Sequence, residues 1–119
     1  MNSVPGSAYL AAILTLYIEL PDTPLRASAY DQAFARSLFE RGVPLDVVES
    51  ALLLGSLRRR NRPKEALPLP PVRSLAYFSS VVDEILHQPL PAGYHGYLRS
   101  KAHQLLRPDV QKSTLSSDR

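Results

Sequence analysis

Apolar residues recur at helical spacing in five stretches of the chain, and proline and glycine separate them. The first, Tyr9 to Leu20 (YLAAILTLYIEL), is apolar almost all round, as in a helix buried in a core. Pro21 and Pro24 end it, with Asp22 able to bond its own backbone in the turn. From Ser28 onward, Tyr30, Ala33, Phe34, Leu38 and Phe39 line one face, and Arg36, Glu40 and Arg41 fall mostly on the other. Ser28 can cap this second helix, and Asp31 puts negative charge at the positive end of its dipole. Leu25 is expected to fold back on it as a staple.

Gly42 suits the left-handed position that ends a helix, and Pro44 suits the first position of the next. In that third helix, Leu45, Val48 and Leu52 adjoin a second apolar row of Val47, Ala51 and Leu54, which predicts a wide buried face. Gly55 costs it about 1 kcal/mol relative to alanine, so it marks close packing or a fraying end. Arg58, Arg59 and Arg60 follow, where positive charge complements the C-terminal dipole, and Pro63 bars continuation.

Asn61 to Val72 (NRPKEALPLPPV) holds four prolines and predicts a stiff, extended connector across the helices, with Leu67 and Leu69 tucked into grooves. A docking segment for an SH3-like partner is the other use of such a run, but PLPP lacks the flanking pattern. The prolines also exclude a central strand, and with it a winged fold. Ser74 reads as the cap of a helix carrying Tyr77, Phe78, Val81, Val82, Ile85 and Leu86 inward, with Asp83 and Glu84 facing water. His87, Pro89 and Pro91 close it. A last helix from about Gly93 to Leu106 carries Tyr94, Tyr97, Leu98, Ala102, Leu105 and Leu106 on one side. The predicted fold is all-α: one domain over residues 1–108, about five helices, a helix-turn-helix-like pair at its middle and a connector at about 61–73. The polar tail, 109–119, is expected to be disordered.

Composition narrows this picture. A chain of 119 residues can bury a core unaided. It has no cysteine, which excludes disulfides, thiolate zinc sites and cysteine nucleophiles and fits a reducing cytoplasm. The net charge of +3 is polarised: residues 1–55 carry three basic and six acidic groups, residues 56–119 eleven and five. Such asymmetry favours an anionic partner. The first apolar stretch is shorter than the about 20 residues a bilayer span needs. Nothing basic precedes it, as a signal peptide would require, so no membrane role is expected.

The candidate chemistry is basic. Arg58, Arg59, Arg60 and Arg62 are more arginines than capping needs, and guanidinium groups pair well with phosphate oxygens. Lys64, Arg99 and Lys101 extend the candidate nucleic-acid-binding set. Tyr94, His95, Tyr97, Arg99, Lys101 and His103 form an aromatic-basic mixture in which bases can stack on rings while cations hold the backbone. Core packing accounts equally well for Tyr94 and Tyr97. Were the third helix to read bases, Asp46, Glu49 and Ser50 would face the groove, and two of these are acidic.

There is no glycine-rich phosphate loop, G-x-S-x-G, H-E-x-x-H or kinase signature. Asp83 and Glu84 are adjacent, so their side chains diverge by about 100° on a helix. Of His87, His95 and His103, only the last two share a helix, roughly two turns apart, too far for one metal. No cofactor, no metal and no enzymatic activity are expected.

The run Arg41-Gly42-Val43-Pro44-Leu45-Asp46-Val47-Val48-Glu49-Ser50-Ala51 resembles the G-[IV]-P-L-x-x-V opening of a helix in some bacterial helical proteins. It is similar to segments of DnaD-like and plasmid replication-initiator-associated domains, and of small uncharacterised proteins encoded near mobile elements. It covers about a tenth of the chain. The resemblance implies a cytoplasmic, DNA-associated accessory protein, with Gly42 and Pro44 as its turn. The chain is too short to add the catalytic or ATPase domain of a full initiator. The expected function is therefore non-enzymatic contact with DNA or RNA through the basic helix end. The alternative is a protein-interaction or homodimer module that docks through Tyr9–Leu20 and uses no nucleic acid.

Overall fold

Helix α3, Leu45–Arg60, is the element on which most of the others pack, and eight of its sixteen residues are buried. The computed structural model describes residues 4–105. Before α3 come α1, Gly6–Glu19, and α2, Ala29–Glu40. After it a 3-10 turn, Leu75–Phe78, runs into α4, Ser79–His87, and α5 spans Tyr94–Leu105. The fold is a single all-α domain, with no strand among the described residues. Helices α1, α4, α5 and the 3-10 turn contact α3, and α2 packs on α1 and the 3-10 turn. No described helix is long and apolar enough to cross a membrane.

The third helix can be central because its inward residues are small as well as apolar. Ser50, Ala51, Gly55 and Ser56 are buried beside Val48, Leu52, Leu53 and Leu57. Close packing, and not fraying, accounts for Gly55: the Phe78 ring lies over it. In α1, Tyr9, Ile13 and Tyr17 stand four residues apart on one face and are fully buried. Tyr17 meets Phe78 edge-on at 6.4 Å, and Tyr9 meets Phe39 edge-on at 5.1 Å. Each such side chain contributes about 1.5–3 kcal/mol on burial.

Helix ends follow the local signals. Ser28 Oγ accepts from Asp31 N at 3.1 Å, and Asp31 Oδ2 accepts from Ser28 N at 2.9 Å, a reciprocal capping box. Gly42 takes φ +76°, and the bonds from Gly42 N to Phe39 O and from Val43 N to Leu38 O close the end of α2 as a Schellman motif. Pro44 stands one place earlier than expected, as the residue before α3, and its carbonyl accepts from Val47 and Val48.

Several expectations are corrected. The first helix starts at Gly6 and fully buries only one row, while Leu10, Leu14, Leu16 and Ile18 are half-buried. Leu25 and Tyr30 are exposed, so there is no staple, and Ala35 takes the core position instead. Ser74 makes no side-chain cap. Leu75 N, the first amide of the turn, donates to the buried Asp31 Oδ1 at 2.9 Å, and the chain opens there with a 3-10 turn. Leu67 is 81% exposed and Leu69 also lies outside the core. The connector is anchored by Val72, whose side chain is buried and whose N–H donates to Asp22 O at 2.8 Å. Leu98 and Ala102 of α5 are buried, whereas Tyr97 is half exposed. Leu106 and the tail 109–119 lie outside the described residues.

Candidate nucleic-acid interface

Successive residues on a helix point about 100° apart, so Arg58, Arg59 and Arg60 leave the last turn of α3 in three directions. Arg58 reaches α4, where its two terminal nitrogens donate to Glu84 Oε1 and Oε2 at 2.8 and 2.6 Å. These bonds hold the Glu84 carboxyl below its ordinary pKa and push the Arg58 guanidinium above its own. Both side chains are about half exposed, so the pair adds little to stability.

Arg59 turns toward the connector, with its side chain only 10% exposed. It donates to Pro70 O at 2.8 Å and Tyr77 Oη at 3.1 Å, and it approaches Asp22 Oδ2 at 3.4 Å. Its guanidinium carbon lies 5.4 Å from the centre of the Tyr77 ring. Arg59 is thus a strap that ties the connector to α3. Arg62 donates to Leu67 O at 2.7 Å and fixes the next bend. Arg60 and Lys64 make no hydrogen bond or ion pair among the described residues.

Carbonyl acceptors orient a guanidinium and leave its charge in place. Among the described residues only Glu84 and Asp22 bring opposite charge to these arginines. Arg60, Arg62 and Lys64 keep theirs, so this end of the molecule remains positive, with Glu65 as the nearby acid in sequence.

Two open grooves border it. One, of about 410 Å³, runs between Pro21–Asp22, Ser56, Arg60 and the connector. The other, of about 340 Å³, lies between the last turn of α3 and α5. Leu54, Leu57 and Leu98 line it together with Arg58, Asn61, Tyr94, Tyr97 and Lys101. The fold therefore brings Lys101 to the arginine end. It takes Arg99 elsewhere: Arg99 lies 3.5 Å from Glu49 Oε1, the same oxygen that His95 Nε2 meets at 3.1 Å.

That contact also closes one use of α3. Glu49 is largely buried with α5, and Ser50 is 3% exposed. Of the three residues that would face a DNA groove only Asp46 is exposed, and it is acidic, so the start of α3 is poorly suited to reading bases. His87 bonds Asp83 O, and His103 is exposed. No group of three His, Cys, Asp or Glu side chains could hold a metal among the described residues.

Sequence reasoning found the cations and missed their partners. Glu84 and Asp22 are 26 and 37 residues from the arginines they meet, and local spacing carries no trace of that. Asn61 could have been noticed as a polar residue inside the basic run. Compared with known proteins, the chain matches no family model, no curated protein and no solved structure.

Proposed function

We propose that this protein is a non-enzymatic nucleic-acid-binding accessory factor that contacts phosphates through the C-terminal end of α3. One observation carries this reading: positive charge at that end exceeds the internal acids that meet it. Arg60 and Lys64 have no partner among the described residues, Arg62 is bonded to a carbonyl, and Lys101 stands across the groove. Arg59 and Arg99 drop out of the contact set, because one straps the connector and the other pairs with Glu49. Arg58 remains at the rim, shared with Glu84. The burial of Ser50, the pairing of Glu49 with α5 and the negative charge of Asp46 argue for backbone contact and against base-pair readout. The similarity around Gly42 and Pro44 to replication-associated helical domains is in keeping with a cytoplasmic, DNA-associated role.

The test is a salt series on oligonucleotide binding by wild type and by an Arg60→Ala, Lys64→Ala, Lys101→Ala variant. Wild type should bind at low ionic strength with an affinity that falls as salt rises. The triple variant should keep its fold and lose roughly two to three units of the log–log salt slope. No binding at low salt ends this proposal.

A second reading rests on α1. Leu10, Leu14, Leu16 and Ile18 are only half-buried, and Glu19 is the first charged residue of the chain. Self-association through that face predicts a dimer by sedimentation that Leu14→Glu disperses. A wild-type monomer at high concentration excludes the homodimer.

A further inference from the structure

The groove between α3 and α5 has features that phosphate contact alone does not call for. Tyr97 is 50% exposed, and its ring lies 5.2 Å from that of Tyr94 with a tilt of 34°. Tyr94 is half-buried and packs against the core, so it holds the outer ring in place. The groove thus offers an apolar floor of Leu54, Leu57 and Leu98, with a supported aromatic face beside it. Lys101, Arg58 and Asn61 stand at the same groove. Lys101 and Asn61 have no side-chain partner among the described residues, so a donor from each is free for a ligand.

We propose that this groove binds single-stranded nucleic acid, with one unpaired base stacked on Tyr97 and the adjoining phosphates on Lys101 and Arg58. The inference rests on the nucleic-acid reading above and names its substrate class. Three features select this occupant. The free Lys101, with Arg58 shared with Glu84 beside it, complements a polyanion and not a basic or neutral peptide. An aromatic face beside cations suits a base joined to a phosphate, since every base has a π-face and stacking is tolerant of sequence. The groove, at about 340 Å³, is of the size of a small-ligand site, so it takes a nucleotide and not a duplex. Paired bases are already stacked on their neighbours and have no face to give.

The experiment measures binding of the full chain to fluorescein-labelled oligo(dT), oligo(rU), an abasic oligomer of the same length and a duplex, all at low salt. The base-bearing single strands should bind at least tenfold more tightly than the abasic one. Tyr97→Ala should erase about tenfold of that difference and leave abasic binding as it was. Tyr97→Phe, which keeps the ring, should bind as wild type does. Circular dichroism of Tyr97→Ala should match wild type, because the ring lies largely outside the core. Equal binding of base-bearing and abasic strands, or a Tyr97→Ala variant indistinguishable from wild type, overturns this inference and leaves the phosphate reading standing. Tighter binding of the duplex does the same. Failure of every oligomer to bind overturns both.

Discussion

Gly55 has the ring of Phe78 where a side chain would stand: a Cβ there would lie 2.8 Å from Phe78 Cδ1 and 2.9 Å from Cε1. The ring cannot easily give way. It is 1% exposed and meets Tyr17 and Tyr77 edge-on. Alanine would gain about 1 kcal/mol of helix propensity, while overpacking costs about 1–3 kcal/mol. Gly55→Ala should therefore lower stability by about 1 kcal/mol in urea unfolding. A more stable variant would show that the ring has room to move.

The Arg59 strap predicts a local effect as well as a global one. Arg59→Ala removes the bonds to Pro70 O and Tyr77 Oη, at a cost of about 1–3 kcal/mol. The connector should loosen first. Amide exchange at Val72, which donates to Asp22 O, should accelerate about tenfold for each 1.4 kcal/mol lost. Arg59→Lys should rescue only part of this, since an ammonium lacks the planar fork. Unchanged protection at Val72 would mean that the connector holds without the strap.

Alkaline pH should unfold the protein through two tyrosines. Burial pushes the Tyr9 hydroxyl up to about 12 from an ordinary 10.0, with Arg41 pulling slightly the other way. Burial, aided by the Asp31 charge, pushes Tyr17 up to about 12 as well. Tyr9 donates to Val43 O at 2.7 Å, whereas the Tyr17 hydroxyl has no partner among the described residues. Both are neutral in the fold, so their contribution is fully present below pH 10 and is lost as pH climbs toward 12. Absorbance titration should show these two of the six tyrosines ionising late, together with loss of helical dichroism. Tyr9 and Tyr17 ionising near pH 10 with the helices intact would contradict the burial.

Much of the scaffold was legible because its determinants are local. The capping box at Ser28 and Asp31, the left-handed Gly42 and the wide apolar face of α3 each follow from residues within one or two turns. What escaped is set by distant residues. The first amide of the 3-10 turn, Leu75 N, is satisfied by Asp31, 44 positions earlier, while Ser74 makes no side-chain cap. Leu67 and Leu69 read as buried because they are leucines between prolines, yet the connector is held by polar contacts from Arg59 and Arg62. The arginine run marks the basic C-terminal end of α3. It did not reveal that Arg58 and Arg59 face acids, that Arg99 faces Glu49, or that Tyr97 stands in a groove with Lys101.

Glu84 competes for the guanidinium that a phosphate would use, and this gives the most direct check on the role of the basic end. The tie is present above the ordinary carboxyl pKa and is lost as pH falls through the lowered value of Glu84. Glu84→Gln removes the opposing charge at neutral pH and leaves that of Arg58 uncompensated. In a salt series with oligo(dT), the variant should bind more tightly than wild type, with a log–log slope steeper by about 0.7, one added phosphate contact on a single strand. Binding that is unchanged or weaker, with the same slope, would mean that Arg58 does not meet a polyanion, and no salt-dependent binding by either protein would mean that the end of α3 does not.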